Sequence, residues 1–78
     1  MPTVLRRNGY RFFFVMADLG EPPHIHVTRE GRLAKWWVDP IGLAYNRGFR
    51  DHELNEILRL IQEHHKLIRG RWDERLGD

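Results

Sequence analysis

Apolar and polar positions alternate along the first half of this chain, and helical spacing takes over near residue 51. Residues 3–7 suit a short edge strand, and Asn8-Gly9 suits a two-residue hairpin turn. Residues 10–16, Tyr-Arg-Phe-Phe-Phe-Val-Met, are aromatic and β-branched and read as a strand. Alternation puts Tyr10, Phe12, Phe14 and Met16 on one face and Arg11, Phe13 and Val15 on the other. Ala17 to Pro23 connects onward, and Pro22-Pro23 enforces an extended entry into the next element.

Residues 24–29 and 32–38 form a predicted hairpin around Glu30-Gly31. A two-residue loop there opposes Val27 to Ala34, Ile25 to Trp36, His26 to Lys35 and His24 to Trp37. Opposed residues project from the same face. One face is then Ile25, Val27, Ala34, Trp36 and Val38. The other is His24, His26, Thr28, Lys35 and Trp37. So clean a separation of apolar from polar supports the register.

Asp39-Pro40 breaks this strand, and residues 41–45 read as a further short one, stopped by Asn46-Arg47-Gly48. A helix follows from about 51 to 68, with Asp51 and Glu53 in the first turn, where the dipole favours negative charge. Leu54, Ile57, Leu58, Ile61 and Ile68 form its apolar stripe, with His65 inside it and Leu60 and Leu67 on a flank. Arg69-Gly70 is expected to end the helix, leaving a short tail, 69–78, whose Trp72 folds back onto the core. The predicted fold is α+β: a three- or four-stranded antiparallel meander with one C-terminal helix on one face. The opposite face is left bare.

At 78 residues this is one small domain, too small for a multidomain or dinucleotide-binding enzyme. A chain of this size buries only about 60% of its unfolded surface, so a partner or a homodimer contact would add stability. The absence of cysteine excludes disulfides and thiolate metal sites. No apolar run is long enough to span a membrane, and the N-terminal run lacks the apolar segment of a signal peptide. These features point to a cytoplasmic protein. The net charge of +2 is mild, but eleven of the thirteen bases are Arg. Arg pairs bidentately with phosphate and carboxylate. An Arg-rich composition suits RNA or an acidic partner, and equally a GC-rich genome.

Several segments together resemble a family of small bacterial domains of unknown function. They are Met1-Pro2-Thr3-Val4, Pro22-Pro23-His24-Ile25-His26-Val27, Gly31 with Ala34-Lys35-Trp36, Gly48-Phe49 before Glu53-Leu54, and Trp72. The Pro-Pro-His-Xaa-His-Val segment is the most specific. The resemblance implies the DhiT-type toxin of a type II toxin–antitoxin pair, restrained by a small protein antitoxin. It supplies no established chemistry. Arg50 departs from the pattern, since a small polar N-cap is more usual there.

The chemistry must therefore be read from the residues. His24 and His26 lie two apart on a strand, about 6.5–7 Å from each other on one face. Three readings compete. In metal-free RNA cleavage the two imidazoles supply the base and the acid, since histidine titrates near working pH. Lys35 and Arg11 would neutralise the phosphorane, and Trp37 or Tyr10 would stack a base. In metal binding the pair would recruit Asp18 or Glu21 as a third ligand. In the third reading the histidines pack within a non-enzymatic module that binds a small partner protein. No cofactor is called for. Of the other histidines, His65 reads as a satisfied, partly buried residue, His52 as solvated, and His64 as part of a flank open to dimer or antitoxin contact. Arg69, Arg71 and Arg75 read as a basic, solvated cluster.

Overall fold

The computed structural model describes residues 3–15 and 20–77. Five strands run in chain order: β1 (Thr3–Arg7), β2 (Tyr10–Phe13), β3 (His24–Arg29), β4 (Arg32–Val38) and β5 (Ile41–Arg47). Two helices follow, α1 (Asp51–Glu63) and α2 (His65–Gly77). The sheet is an antiparallel meander with spatial order β1-β2-β3-β4-β5. The α+β class is as expected, with five strands in place of three or four and two helices in place of one.

Turn chemistry explains the meander. Asn8-Gly9 and Glu30-Gly31 both sit at positive φ, at 53° and 83° and at 48° and 79°. Two consecutive left-handed residues make the turn whose twist matches that of the flanking strands. The β3–β4 ladder then pairs His24 with Trp37, Ile25 with Trp36, His26 with Lys35 and Val27 with Ala34, as the loop length required. Asp39-Pro40, joined by a cis peptide bond, links β4 to β5 with Val38 opposite Ile41.

Three boundaries differ from the expectation. β2 ends at Phe13, although Phe14 remains buried at 3% exposure; Met16 lies outside the described residues. β5 reaches Arg47 rather than residue 45. The helix breaks at His64, where φ is −111° and ψ 21°. His64 donates from both its backbone N–H (3.0 Å) and its ring Nδ1 (2.9 Å) to the Leu60 carbonyl, and Ile68 N–H then bonds to His64 O (3.0 Å). The chain turns and resumes as α2, which runs through Gly70 because Ile68 and Trp72, one turn apart, are both buried.

The core lies between one sheet face and the helices. Phe12, Ile25, Val27, Ala34 and Val38 are fully buried with Ile57, Ile61 and Ile68. Leu60 is also buried, so the apolar stripe of α1 is wider than the sequence suggested. Burying each of the larger side chains in this set is worth roughly 1.5–3 kcal/mol before the ordering cost. At the start of α1, the Arg50 N–H donates to Glu53 Oε1 (3.0 Å), and Arg32 Nη1 donates to Glu53 Oε2 (2.8 Å). This back-bond substitutes for the missing small N-cap at Arg50. Glu56 accepts from Tyr10 Oη (2.7 Å) and Asn8 Nδ2 (3.2 Å), tying α1 to the first hairpin. His65 Nε2 donates to Val38 O (2.8 Å), the satisfied role expected of it. Arg69 pairs with Asp73 and Arg71 with Glu74 along α2, while the Arg75 side chain is outside the description.

Candidate functional site

The sheet face away from the core is built in rows. Antiparallel pairing sets opposed residues on one face, so a row can be followed from strand to strand. The first runs Arg6, Arg11, Thr28, Leu33, Arg47. The second runs Thr3, Phe13, His26, Lys35, Tyr45. The third runs His24, Trp37, Gly42. Four cations and three aromatic rings thus share this face with two imidazoles.

The contacts within it interlock. The Phe13 and His26 rings stack at 5.6 Å between centroids, with 23° between planes. The Arg11 guanidinium lies 4.6 Å above the Phe13 ring while its Nε donates to Thr3 Oγ1 (2.9 Å). Lys35 Nζ sits 4.9 Å from the Trp37 ring centroid and is ion-paired to Glu21. His24 meets His26 at 5.4 Å and Trp37 at 5.8 Å, both edge-on.

His24 itself is fully buried. The Trp72 ring packs 5.1 Å from it, and the same ring meets Phe14 edge-on at 5.4 Å. His24 Nδ1 lies 2.8 Å from Pro22 O. A carbonyl only accepts, so this nitrogen carries the proton. The bond pins the Pro-Pro-His segment, and Val38 N–H clamps it again on Pro23 O (3.0 Å). His24 therefore positions the strand and His26 beside it, while His26 is half-buried and reaches the surface.

The six residues singled out in the sequence do not all converge. His26, Lys35, Arg11 and Trp37 share the face, and His24 lies beneath its Trp72 end. Tyr10 is a correction: it is 1% exposed, faces the core and tilts against Phe49 at 5.9 Å, so it offers no platform to a base. Burial, then the Glu56 hydrogen bond, hold its phenol above the ordinary 10.0. Of the suggested third metal ligands, Glu21 is engaged by Lys35, and Asp18 lies outside the described residues. Among the described residues no three of His, Cys, Asp and Glu gather closely enough to hold an ion.

Residues 9–73 match the family described as Domain of unknown function (DUF4160). The chain belongs to this family. Four of the five strands and most of the helical segment of this DUF4160 domain fall inside the match, and β1 precedes it. No curated protein matches the chain, and no solved structure does. No helix among the described residues is long and apolar enough to cross a membrane.

Sequence reasoning missed Phe13, Tyr45, Arg47 and Arg6 as members of the face. Phe13 and Arg6 were recoverable from strict alternation through the Asn8-Gly9 turn. Tyr45 was not. Counting by twos from Ile41 puts it with Leu43 toward the core side, but the register shifts between Lys35 and Trp36, so that Leu43 opposes Trp36 and Tyr45 opposes Lys35. Ala44 is the extra residue, and this bulge turns Tyr45 to the other face.

Proposed function

We propose that this domain is the toxin component of a type II toxin–antitoxin module and that it acts by binding RNA on the basic, aromatic sheet face. The observation that carries the reading is the pair of rows Arg6–Arg11–Thr28–Leu33–Arg47 and Thr3–Phe13–His26–Lys35–Tyr45. Cations beside aromatic rings on an open sheet are what RNA requires, since phosphates need charge and unpaired bases need flat apolar partners. His26 is the imidazole placed to meet the ligand, with Arg11 and Lys35 as the flanking cations and Trp37 as a ring at the margin. Cleavage by two imidazoles would need both rings at the substrate. His24 has no exposed surface to bring there, which favours binding over metal-free cleavage.

A second reading has one observation of its own. β5 is an edge strand, five of its seven residues are exposed, and Leu43 is 44% exposed on the helix-side face. Such an edge can add a strand from a small partner protein such as an antitoxin.

The test is growth after induced expression in a bacterial host, wild type against His26→Ala at matched soluble levels, with RNA binding measured on both purified proteins. The reading expects arrest and RNA binding by wild type, both weakened in the variant. Absence of arrest together with absence of RNA binding in the wild type overturns it and leaves the partner-binding module.

A further inference from the structure

The residues first suspected of touching a ligand are largely occupied within the domain. Lys35 is held by Glu21, Arg11 by Thr3 and the Phe13 ring, and His24 is buried. The outer end of the same rows is different. Tyr45 is 50% exposed, and neither its hydroxyl nor its ring has a partner among the described residues. Arg47, two residues on, is exposed and likewise has no ion pair among them. Both face outward beside Lys35 and Leu33 respectively. Their spacing along the strand is about 6.5–7 Å.

A single exposed aromatic is ordinary on a protein surface, so the exposure of Tyr45 alone marks nothing. Here an unengaged ring and an unengaged guanidinium stand side by side on a face whose charge is already positive. We infer that Tyr45 and Arg47 form a nucleotide subsite, in which the Tyr45 ring stacks one unpaired base and Arg47 takes the neighbouring phosphate. The ligand class is single-stranded RNA, because base pairing and stacking within a duplex hide the base faces that Tyr45 would cover. This inference rests on the RNA-binding reading above and adds the strand state of the ligand and the end of the face that holds it. The Ala44 bulge is what puts the pair on this face, since it moves Tyr45 and Arg47 together from the side of Leu43 to the side of Lys35 and Leu33.

The experiment is fluorescence anisotropy of the full chain with a short labelled single-stranded RNA and with the same strand annealed to its complement. The proteins are wild type, Tyr45→Ala, Tyr45→Phe, Arg47→Ala and His26→Ala. Both β5 side chains are exposed, and a thermal melt verifies that each variant folds. Tyr45→Ala is expected to weaken single-strand binding about 5- to 150-fold, the range for losing one stacked base. Tyr45→Phe keeps the ring and is expected to bind like wild type. Arg47→Ala is expected to lower the salt slope of log affinity by about 0.7, one phosphate contact on a single strand. The duplex is expected to bind more weakly and to ignore Tyr45→Ala. Wild-type-like single-strand binding by Tyr45→Ala, with a loss confined to His26→Ala, overturns the subsite and leaves the RNA reading standing. Equal duplex binding with an equal loss in Tyr45→Ala overturns the strand preference. Failure of the wild type to bind any RNA removes both. If Tyr45→Ala instead weakens a complex with a co-expressed partner protein and leaves RNA binding intact, Tyr45 belongs to a protein interface and the subsite is overturned.

Discussion

Glu53 carries more of the fold than a first-turn carboxylate usually does. It accepts from the Arg50 backbone N–H and from Arg32, and these, in that order, hold its carboxyl below the ordinary 4.5. A carboxyl held low in the folded state binds a proton first in the unfolded chain. Its stabilisation is therefore complete above pH 4.5 and is lost as pH falls through the lower folded value. Glu53→Gln should be less stable than wild type at neutral pH, and the gap should close on acidification below about 4.5; urea denaturation across that range measures it. Gly48 shares this corner. Its φ is 101°, and a Cβ there would stand 3.1 Å from Arg32 Cγ. Gly48→Ala should cost about 2 kcal/mol, from backbone strain and from displacing the arginine that pairs with Glu53. At this scale alternation made Tyr10 legible as a core residue, since it was already grouped with Phe12 and Phe14. Assigning it to base stacking conflicted with that grouping, and burial decides for the core. The full burial of His24 was not legible, because it depends on a tryptophan 48 residues later.

At the scale of elements, the hairpins were readable because their turns are two residues long and their residues tolerate positive φ. The loop length then dictates every pair in the ladder. The end of the helix was misread at Gly70. Glycine commonly closes helices by adopting a left-handed conformation. Gly70 does not have a positive φ and sits inside α2, with open space where a side chain would project. Trp72 decides the matter, since its buried ring holds the last turns on the core regardless of local propensity. Two opposite outcomes follow. Gly70→Ala should stabilise the domain by about 0.5–1 kcal/mol, the cost of glycine inside a helix. Trp72→Ala should cost about 3–5 kcal/mol, as for other buried aromatics, and should open His24 to solvent. Thermal melts report the first, and the hydrogen-exchange rate of the β3 amides around His24 reports the second.

Over the whole molecule, the net charge of +2 is the residue of an uneven distribution. Before Arg50 there are seven Lys and Arg against four Asp and Glu; from Arg50 onward there are six against seven. The helical part is close to neutral, and Arg69 and Arg71 spend their charge on Asp73 and Glu74. The excess sits in the sheet, and on its outer face four cations from four strands come together, of which Lys35 is paired to Glu21. Ile57, Ile61 and Ile68 commit the helices to the core side, and Trp72 covers only the His24 end of the outer face. Composition alone could not show this, since it sums over faces that the meander separates. An RNA strand on that face would be bound by local charge rather than by the overall +2. Single-stranded RNA binding should then fall with salt, with a slope of log affinity against log salt of about −2 for three phosphate contacts from Arg6, Arg11 and Arg47. A titration of ionic strength at fixed pH measures that slope. A value near zero would mean that the cations serve the domain's own packing, and it would return the face to a role in protein contact.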